Sequence, residues 1–355
     1  MANRIAALVG SLVERVATPY PVDRYLEFID PMLTWRDLRA EVTDIRRRTD
    51  RSVTLTLRPT RQWAGHLAGQ YVEVGVVIDG VRQRRFYSPA NAAGRAGDIE
   101  LTVTAHDGGL VSNHLRNDLR VGEVLTLAPA AGEFVLPEQR PDAVVLVSGG
   151  SGITPVLSML RTLVAEGHPG PITFVHYART PDDVPYAVEL DALHRTIAGV
   201  DVRLHYTRGD DAEHFTPEHI ADVTGDGAQV YMCGPAALMD AVREYADTAG
   251  FADDVHSEAF TVAPAVIDED AKGGTVTFAA SDVAAENDGR TILDQAEAAG
   301  LTPEYGCRMG ICFSCTRVRT SGCTRNVLTG ELDAEPDAHI QICVNAPVGD
   351  VEIDL

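Results

Sequence analysis

Tyr305-Gly306-Cys307-Arg308-Met309-Gly310-Ile311-Cys312-Phe313-Ser314-Cys315 places three cysteines in C-x4-C-x2-C spacing, and Cys343 follows downstream. Four thiolates so arranged are what a 2Fe-2S cluster requires. Gly306 and Gly310 let the backbone wrap closely around such a group. Two other uses of the cysteines compete with this one. Zinc frameworks usually show paired C-x2-C units, and only one such pair is present. Disulfides belong to oxidising compartments, and the N-terminus lacks the small-residue cleavage pattern of a secretory leader. The cluster reading leads, with zinc and disulfides behind it. Cys323 falls outside the pattern and reads as a free thiol.

Around this loop, residues 273–355 read as a small mixed domain, with a hairpin candidate at Thr275 to Ala279 and a helix at Thr291 to Ala299. Residues 261–272, with Pro264 and Asp268-Glu269-Asp270, read as a linker. Upstream, 141–260 alternates short apolar runs (Ala143–Val147, Ile172–His176, Val202–His205, Gln229–Met232) with helical stretches, which predicts an α/β domain on a parallel sheet. Residues 40–140 instead carry short alternating runs at Val53–Leu57, Tyr71–Ile78, Ile99–Val103 and Val124–Leu127, with turn signals such as Asp79-Gly80 between them. They predict an antiparallel β-barrel or sandwich, and the barrel is the form adopted for the fold class. Residues 1–39 form an N-terminal extension. Ile5, Leu8, Val9, Leu12, Val13 and Val16 fall at helical spacing in it, and an apolar-aromatic stretch covers Leu26 to Trp35. The fold class is thus multidomain, α+β and α/β.

Four further motifs have chemical meaning. Arg85-Phe86-Tyr87-Ser88 combines a cation, an aromatic wall and a hydroxyl, the groups that a flavin's phosphate, ring and N5 call for. Taken alone it reads more readily as an edge strand with a surface arginine and a core tyrosine. Gly108-Gly109-Leu110-Val111-Ser112-Asn113 leads into a helical stretch, Ser112 to Leu119, and offers backbone N–H groups to an anion; the plainer reading has Ser112 as an ordinary helix cap. Ser148-Gly149-Gly150-Ser151-Gly152-Ile153-Thr154-Pro155 follows an apolar strand and opens a helix, the setting of a phosphate-binding loop, although its spacing is not G-x-G-x-x-G. Tyr231-Met232-Cys233-Gly234-Pro235 ends another strand, where ligands bind in parallel sheets.

Residues 303–315 resemble the cluster loop of plant-type ferredoxins. The motifs across 40–260 are similar, in order and spacing, to those of the ferredoxin-NADP reductase superfamily. The first resemblance implies a β-grasp domain with Cys307, Cys312, Cys315 and Cys343 as cluster ligands. The second implies that Arg85, Phe86, Tyr87 and Ser88 bind the flavin, with Val111 and Ser112 at its pyrophosphate. It assigns Gly149, Gly150, Gly152, Thr154, Cys233, Gly234 and Pro235 to the nicotinamide dinucleotide. Glu258-Ala259-Phe260 resembles the acid-x-aromatic end that closes on the flavin ring. Ser88, Cys233 and Glu258 are the candidates beside the reacting atoms. The implied flavin is FAD, with FMN as the alternative. The nucleotide is NADPH or NADH, and Arg179 (with Arg208 behind it) is a candidate for a 2′-phosphate. Hydride pairs would enter and single electrons leave.

Acidity is uneven. Residues 141–272 hold 7 basic against 22 acidic side chains, and 273–355 hold 5 against 13, within a net charge of −22. That sign speaks against a nucleic-acid partner, and reads equally as an aid to solubility or as a face for docking to a basic protein surface. The implied acceptor is a separate oxygenase, desaturase or haem monooxygenase, with a fatty-acyl desaturase as first choice because of the N-terminal extension. The expected location is cytoplasmic, with peripheral docking to a membrane or membrane protein through that extension. Competing functions are a redox sensor and a stand-alone flavin reductase.

Overall fold

The computed structural model describes residues 20–94, 97–225, 227–260, 272–306, 308, 310 and 313–355. The helical pattern of residues 5–16, nearly all of the linker, and the ligand candidates Cys307 and Cys312 lie outside the described residues. Two compact units emerge, one of residues up to Cys233 with Ala241–Ser257, the other of Gly234–Asp240 with Glu258–Leu355.

A short helix, α1 (Val22–Leu26), opens the first unit. Asp23 fixes this extension. Its buried carboxylate accepts the backbone N–H groups of Trp35, Arg36 and Asp37, which holds its pKa below the usual carboxylate range against the cost of burial. Strands β1 (Arg39–Arg47), β2 (Ser52–Pro59), β3 (Val72–Ile78), β4 (Val81–Tyr87), β5 (Ile99–Thr104) and β6 (Val124–Leu127) form one sheet in the order β4-β3-β6-β1-β2-β5. Its neighbouring strands pair antiparallel throughout. Leu55, Leu57, Ile99, Leu101 and Leu125 alternate inward to build the core. Asp79 and Gly80 both have positive φ (51° and 80°), as the tight β3–β4 hairpin demands. The sheet curls into a partly open barrel. Just past β4, Pro89 bridges Leu101 of β5, and the Ala90 N–H donates to the Glu100 carbonyl at 2.8 Å. Helix α2 (Leu110–Asn117) packs on this core through Val111 and Leu115.

The nucleotide part of the unit has β7 (Val144–Gly149), β8 (Ile172–Ala178), β9 (Val200–Tyr206), β10 (Gln229–Cys233) and β11 (Val255–Glu258) in the order β11-β10-β7-β8-β9. Strands β10, β7, β8 and β9 run parallel. Helices α3 (Ile153–Glu166), α4 (Ala187–Thr196) and α5 (Ala236–Ala249) alternate with them. Strand β7 is buried along its whole length, which explains its unbroken apolar run.

The second unit is a mixed sheet of β12 (Thr275–Phe278), β13 (Val283–Glu286), β14 (Thr316–Asn326), β15 (Leu332–Asp333), β16 (Ala338–Gln341) and β17 (Asn345–Asp354). Strand β12 pairs parallel with β17 and antiparallel with β13. Helix α6 (Ile292–Ala298) starts at Thr291, whose side chain accepts the Asp294 N–H. It buries Ile292, Leu293 and Ala296 against Phe278, Ile342 and Ile353.

Candidate flavin, nucleotide and cluster sites

The flavin candidates lie on and just beyond β4, an edge strand that closes on β5. Arg85, Phe86 and Tyr87 are half-buried, and Tyr71 meets Phe86 edge to face at 5.4 Å. Burial pushes the Tyr87 phenol well up, so it stays neutral. Ser88 is 2% exposed, and its Oγ is buried without a hydrogen-bond partner among the described residues. An unpaired buried hydroxyl costs about 1–3 kcal/mol, a penalty that a polar ligand atom would remove. This is the best fit of the chain to a flavin.

The Gly108-Gly109 loop precedes α2. Gly109, not Ser112, is the N-cap, so the capping reading of Ser112 is corrected. Ser112 sits inside the first turn, nearly buried, and donates to the Gly109 carbonyl at 3.3 Å. A Cβ on Gly109 would collide with Ser112 Oγ and the His106 ring, so a larger residue there would have to displace both side chains. Beside this loop, Val77, Asp79, Gly108, Gly109, Asn113 and His114 help to line a cavity of 550 Å³. Sequence reasoning did not find this cavity, because its walls lie about 30 residues apart in the chain and only the hairpin joins them.

The nucleotide loop leaves β7 at its carboxyl end. Gly150 has φ +54° and open space where a Cβ would stand, so its backbone faces outward unobstructed. Gly152 and Thr154 are buried at the start of α3, and the Thr154 hydroxyl donates to the Ser151 carbonyl at 3.3 Å. Cys233, fully buried, ends β10 in register with Ser148 of β7, next to Gly149. In turn Ser148 Oγ lies 2.8 Å from Nδ1 of His176 on β8; burial lowers the His176 pKa to about 4 and keeps the ring neutral. Arg179 is exposed just past β8, and its carbonyl accepts the Arg208 N–H at 3.0 Å, bringing these two candidates together through backbone. Gly234 and Pro235 follow Cys233 and lead into α5. Glu258 ends β11. Its Oε2 is buried without a hydrogen-bond partner among the described residues, and burial pushes its carboxyl up to about 8. Phe260 is half-buried.

His205, Glu213 and His219 gather beside Tyr177, a group absent from the sequence reading. His205 Nδ1 lies 2.6 Å from Glu213 Oε2, and the Tyr177 hydroxyl lies 2.7 Å from His219 Nδ1. The two imidazoles stack at 3.8 Å with 20° between planes. Lone pairs lie in the ring planes, so nearly parallel rings cannot both aim at one ion about 2.0–2.1 Å from each nitrogen. The cluster clamps the loop after β9 rather than holding a metal.

In the second unit Cys315 and Cys343 are 1% and 4% exposed and belong to one hydrophobic core. Gly310, at φ +76°, faces Val344 so closely that a Cβ would meet its methyls at 3.0–3.1 Å. Arg308 lies over the Tyr305 ring at 4.0 Å and pairs with Asp294 and Glu297 of α6, pinning the loop to that helix. Two buried thiols beside a tightly drawn glycine loop suit a thiolate-bound cluster.

Comparison with known proteins agrees. Residues 41–136 match the oxidoreductase FAD-binding domain, 146–244 the oxidoreductase NAD-binding domain, and 276–347 the 2Fe-2S iron-sulfur cluster binding domain. An NADPH oxidoreductase of Mycobacterium tuberculosis is 36% identical over 361 residues, covering 97% of this chain and 91% of that protein. The stachydrine N-demethylase reductase subunit of Rhizobium meliloti is 28% identical, covering 83% of this chain and 90% of that protein. Among solved structures, phthalate dioxygenase reductase superposes with a TM-score of 0.63 at 27% identity, covering 89% of this chain and 97% of that one. Fold, motif order and full-length similarity lead to one conclusion: the chain belongs to the family of NAD(P)H-dependent, FAD-binding oxidoreductases of ferredoxin reductase type that carry a C-terminal 2Fe-2S ferredoxin domain.

Proposed function

We propose that this reductase supplies electrons to a separate oxygenase. The observation that carries the reading is the match, over 89% of this chain and 97% of that one, to phthalate dioxygenase reductase, described as a modular structure for electron transfer from pyridine nucleotides to 2Fe-2S. Its likeness to the stachydrine N-demethylase and glycine betaine monooxygenase reductase subunits points the same way. Bound flavin and cluster supply a change from hydride pairs to single electrons. In this reading Ser88 donates to the flavin ring, Tyr87 walls it, Arg85 balances its phosphate charge, and Val111 and Ser112 border its pyrophosphate. The exposed Gly150 backbone and the α3 N-terminus receive the dinucleotide phosphates, with Gly149 and Gly152 on either side. Thr154, Cys233, Gly234 and Pro235 border the nicotinamide, Glu258 and Phe260 flank the ring, and Arg179 favours NADPH. Cys307, Cys312, Cys315 and Cys343 hold the cluster.

A membrane-associated acceptor such as a fatty-acyl desaturase is the second reading. It is favoured by Phe28 and Ile29, 81% and 78% exposed in the N-terminal extension, with Tyr25, Leu33 and Trp35 exposed nearby. No helix among the described residues is long and apolar enough to cross a membrane. Anaerobic titration of the coloured protein with NADPH, then NADH, tests the shared core: both flavin and cluster absorption should bleach. Product formation with a purified Rieske-type oxygenase, and none with a membrane desaturase, supports the first reading over the second. The reverse pattern overturns it.

A further inference from the structure

Helix α3 begins at the nucleotide loop, and its far half is bolted to the chain that follows the flavin motif. Ser158, Arg161 and Thr162 fall at i, i+3 and i+4, on one face. Ser158 Oγ donates to the Asn91 carbonyl at 2.7 Å, and Thr162 Oγ1 accepts the Ala93 N–H at 2.9 Å. Between them Arg161 Nη1 donates to the Ala90 carbonyl at 2.7 Å and to Glu100 Oε1 of β5 at 2.6 Å. Its Nε and Nη2 grip the Glu189 carboxylate of α4 at 2.7 and 2.6 Å. One planar guanidinium thus joins barrel loop, barrel strand and two nucleotide-domain elements. A lysine ammonium cannot match that fork. The charges balance: Arg48 lies 3.9 Å from Glu100, so two arginines face two glutamates. Tyr186 stands between both guanidinium groups, 4.9 and 5.0 Å from its ring, and its hydroxyl reaches Thr102 and Glu100 of β5.

The segment held this way is short. It starts two residues after Ser88, and the held helix starts at Ile153, beside Gly152. Movement of α3 relative to residues 90–93 would therefore translate directly into separation of the nucleotide loop from the flavin wall. Hydride transfer is steep in that separation, and a shift of about 1 Å costs about a hundredfold.

We propose that Arg161 is a positioning residue for hydride transfer: through Ala90, Glu100 and Glu189 it sets the distance between the nucleotide loop and the flavin strand. The inference rests on the assignment of residues 85–88 to flavin and 149–154 to nucleotide. The test uses full-length holoprotein in anaerobic stopped flow with NADPH, following flavin bleaching and the long-wavelength charge-transfer band. In Arg161→Met the limiting rate is expected to fall about 10- to 100-fold, with a weakened charge-transfer band. The NADPH dissociation constant stays within about threefold, and cluster content is unchanged. Arg161→Lys recovers part of the rate. A wild-type rate and band in Arg161→Met, with only a lower melting temperature, overturns the proposal, as does a change in NADPH affinity alone. If Arg161→Met fails to retain flavin, Glu189→Gln carries the test, since it loosens the grip without removing the cation; a slower limiting rate supports the proposal and an unchanged one overturns it. Wild-type protein that NADPH does not bleach would instead refute the site assignment.

Discussion

Ser88 and Phe313 stand at corresponding places in the two units, each beside the residues assigned to a cofactor, and they are built in opposite ways. Ser88 is 2% exposed, follows a fully paired strand and leaves a hydroxyl unsatisfied. Phe313 is 68% exposed, sits in a loop two residues before Cys315, and has φ +58°, a left-handed conformation that bulky residues avoid. The barrel and parallel sheet shape their site by register, so the site exists before its ligand arrives. In the ferredoxin unit a loop with positive φ at Arg308, Gly310 and Phe313 must wrap its ligand, and the ligand's bonds are part of the folding energy.

Cysteine removal should break the two halves apart most widely. Cys315→Ser deletes a proposed cluster ligand from a buried position. Reduction of cytochrome c is expected to fall at least about a hundredfold, because its one-electron route ends at the cluster. Flavin bleaching by NADPH should continue at the wild-type rate. Chelation of the wild-type cluster should likewise lower the melting temperature of the second unit and leave the first where it was. A simultaneous loss of flavin reduction, or an unchanged melting profile, would show that the two sites are not organised separately.

Ser88→Ala gives a smaller effect with two signs. The apoprotein should gain about 1 kcal/mol, since an unpaired buried hydroxyl disappears. In the holoprotein the limiting rate of flavin reduction should drop about tenfold, the weight of one well-placed hydrogen bond. Denaturation of apoprotein and stopped flow of holoprotein check the two halves. A destabilised apoprotein would mean that Ser88 already has a partner in the fold, and the idea of a site prepared before its ligand would fail.

Much of this architecture is legible in the sequence, and the limits have physical causes. Alternation in Val53–Leu57 marks β2 because one face of that strand is buried, and the glycine loop after Ala143–Val147 marks the start of α3 because phosphate loops need that setting. What escapes is contact across long separation. Arg161 belongs to none of the motifs, and its carboxylate partners stand 61 and 28 residues away. Barrel closure by Pro89 and Leu101 leaves no periodic trace, since it is a single bridge. Ser112 misleads as a cap because its hydroxyl turns back to Gly109, whose missing side chain leaves the room.

Phe313→Gly should produce the smallest change and locates where the strain lies. A non-glycine residue in the left-handed region costs about 1–2 kcal/mol. Glycine relieves that cost but loses about 0.5–1 kcal/mol to the freer unfolded chain. The ring is mostly exposed, so little burial is lost. The turn itself persists, because the Thr316 N–H and hydroxyl both donate to the Phe313 carbonyl, at 3.1 and 2.7 Å, and neither bond uses the side chain. The net expectation is a gain of about 0.5–1 kcal/mol in the second unit, read by denaturation of holoprotein through the visible absorption of the cluster. A loss of about 1 kcal/mol or more would mean that the ring packs on the cluster loop, and that this site too is shaped by its own side chains before the ligand binds.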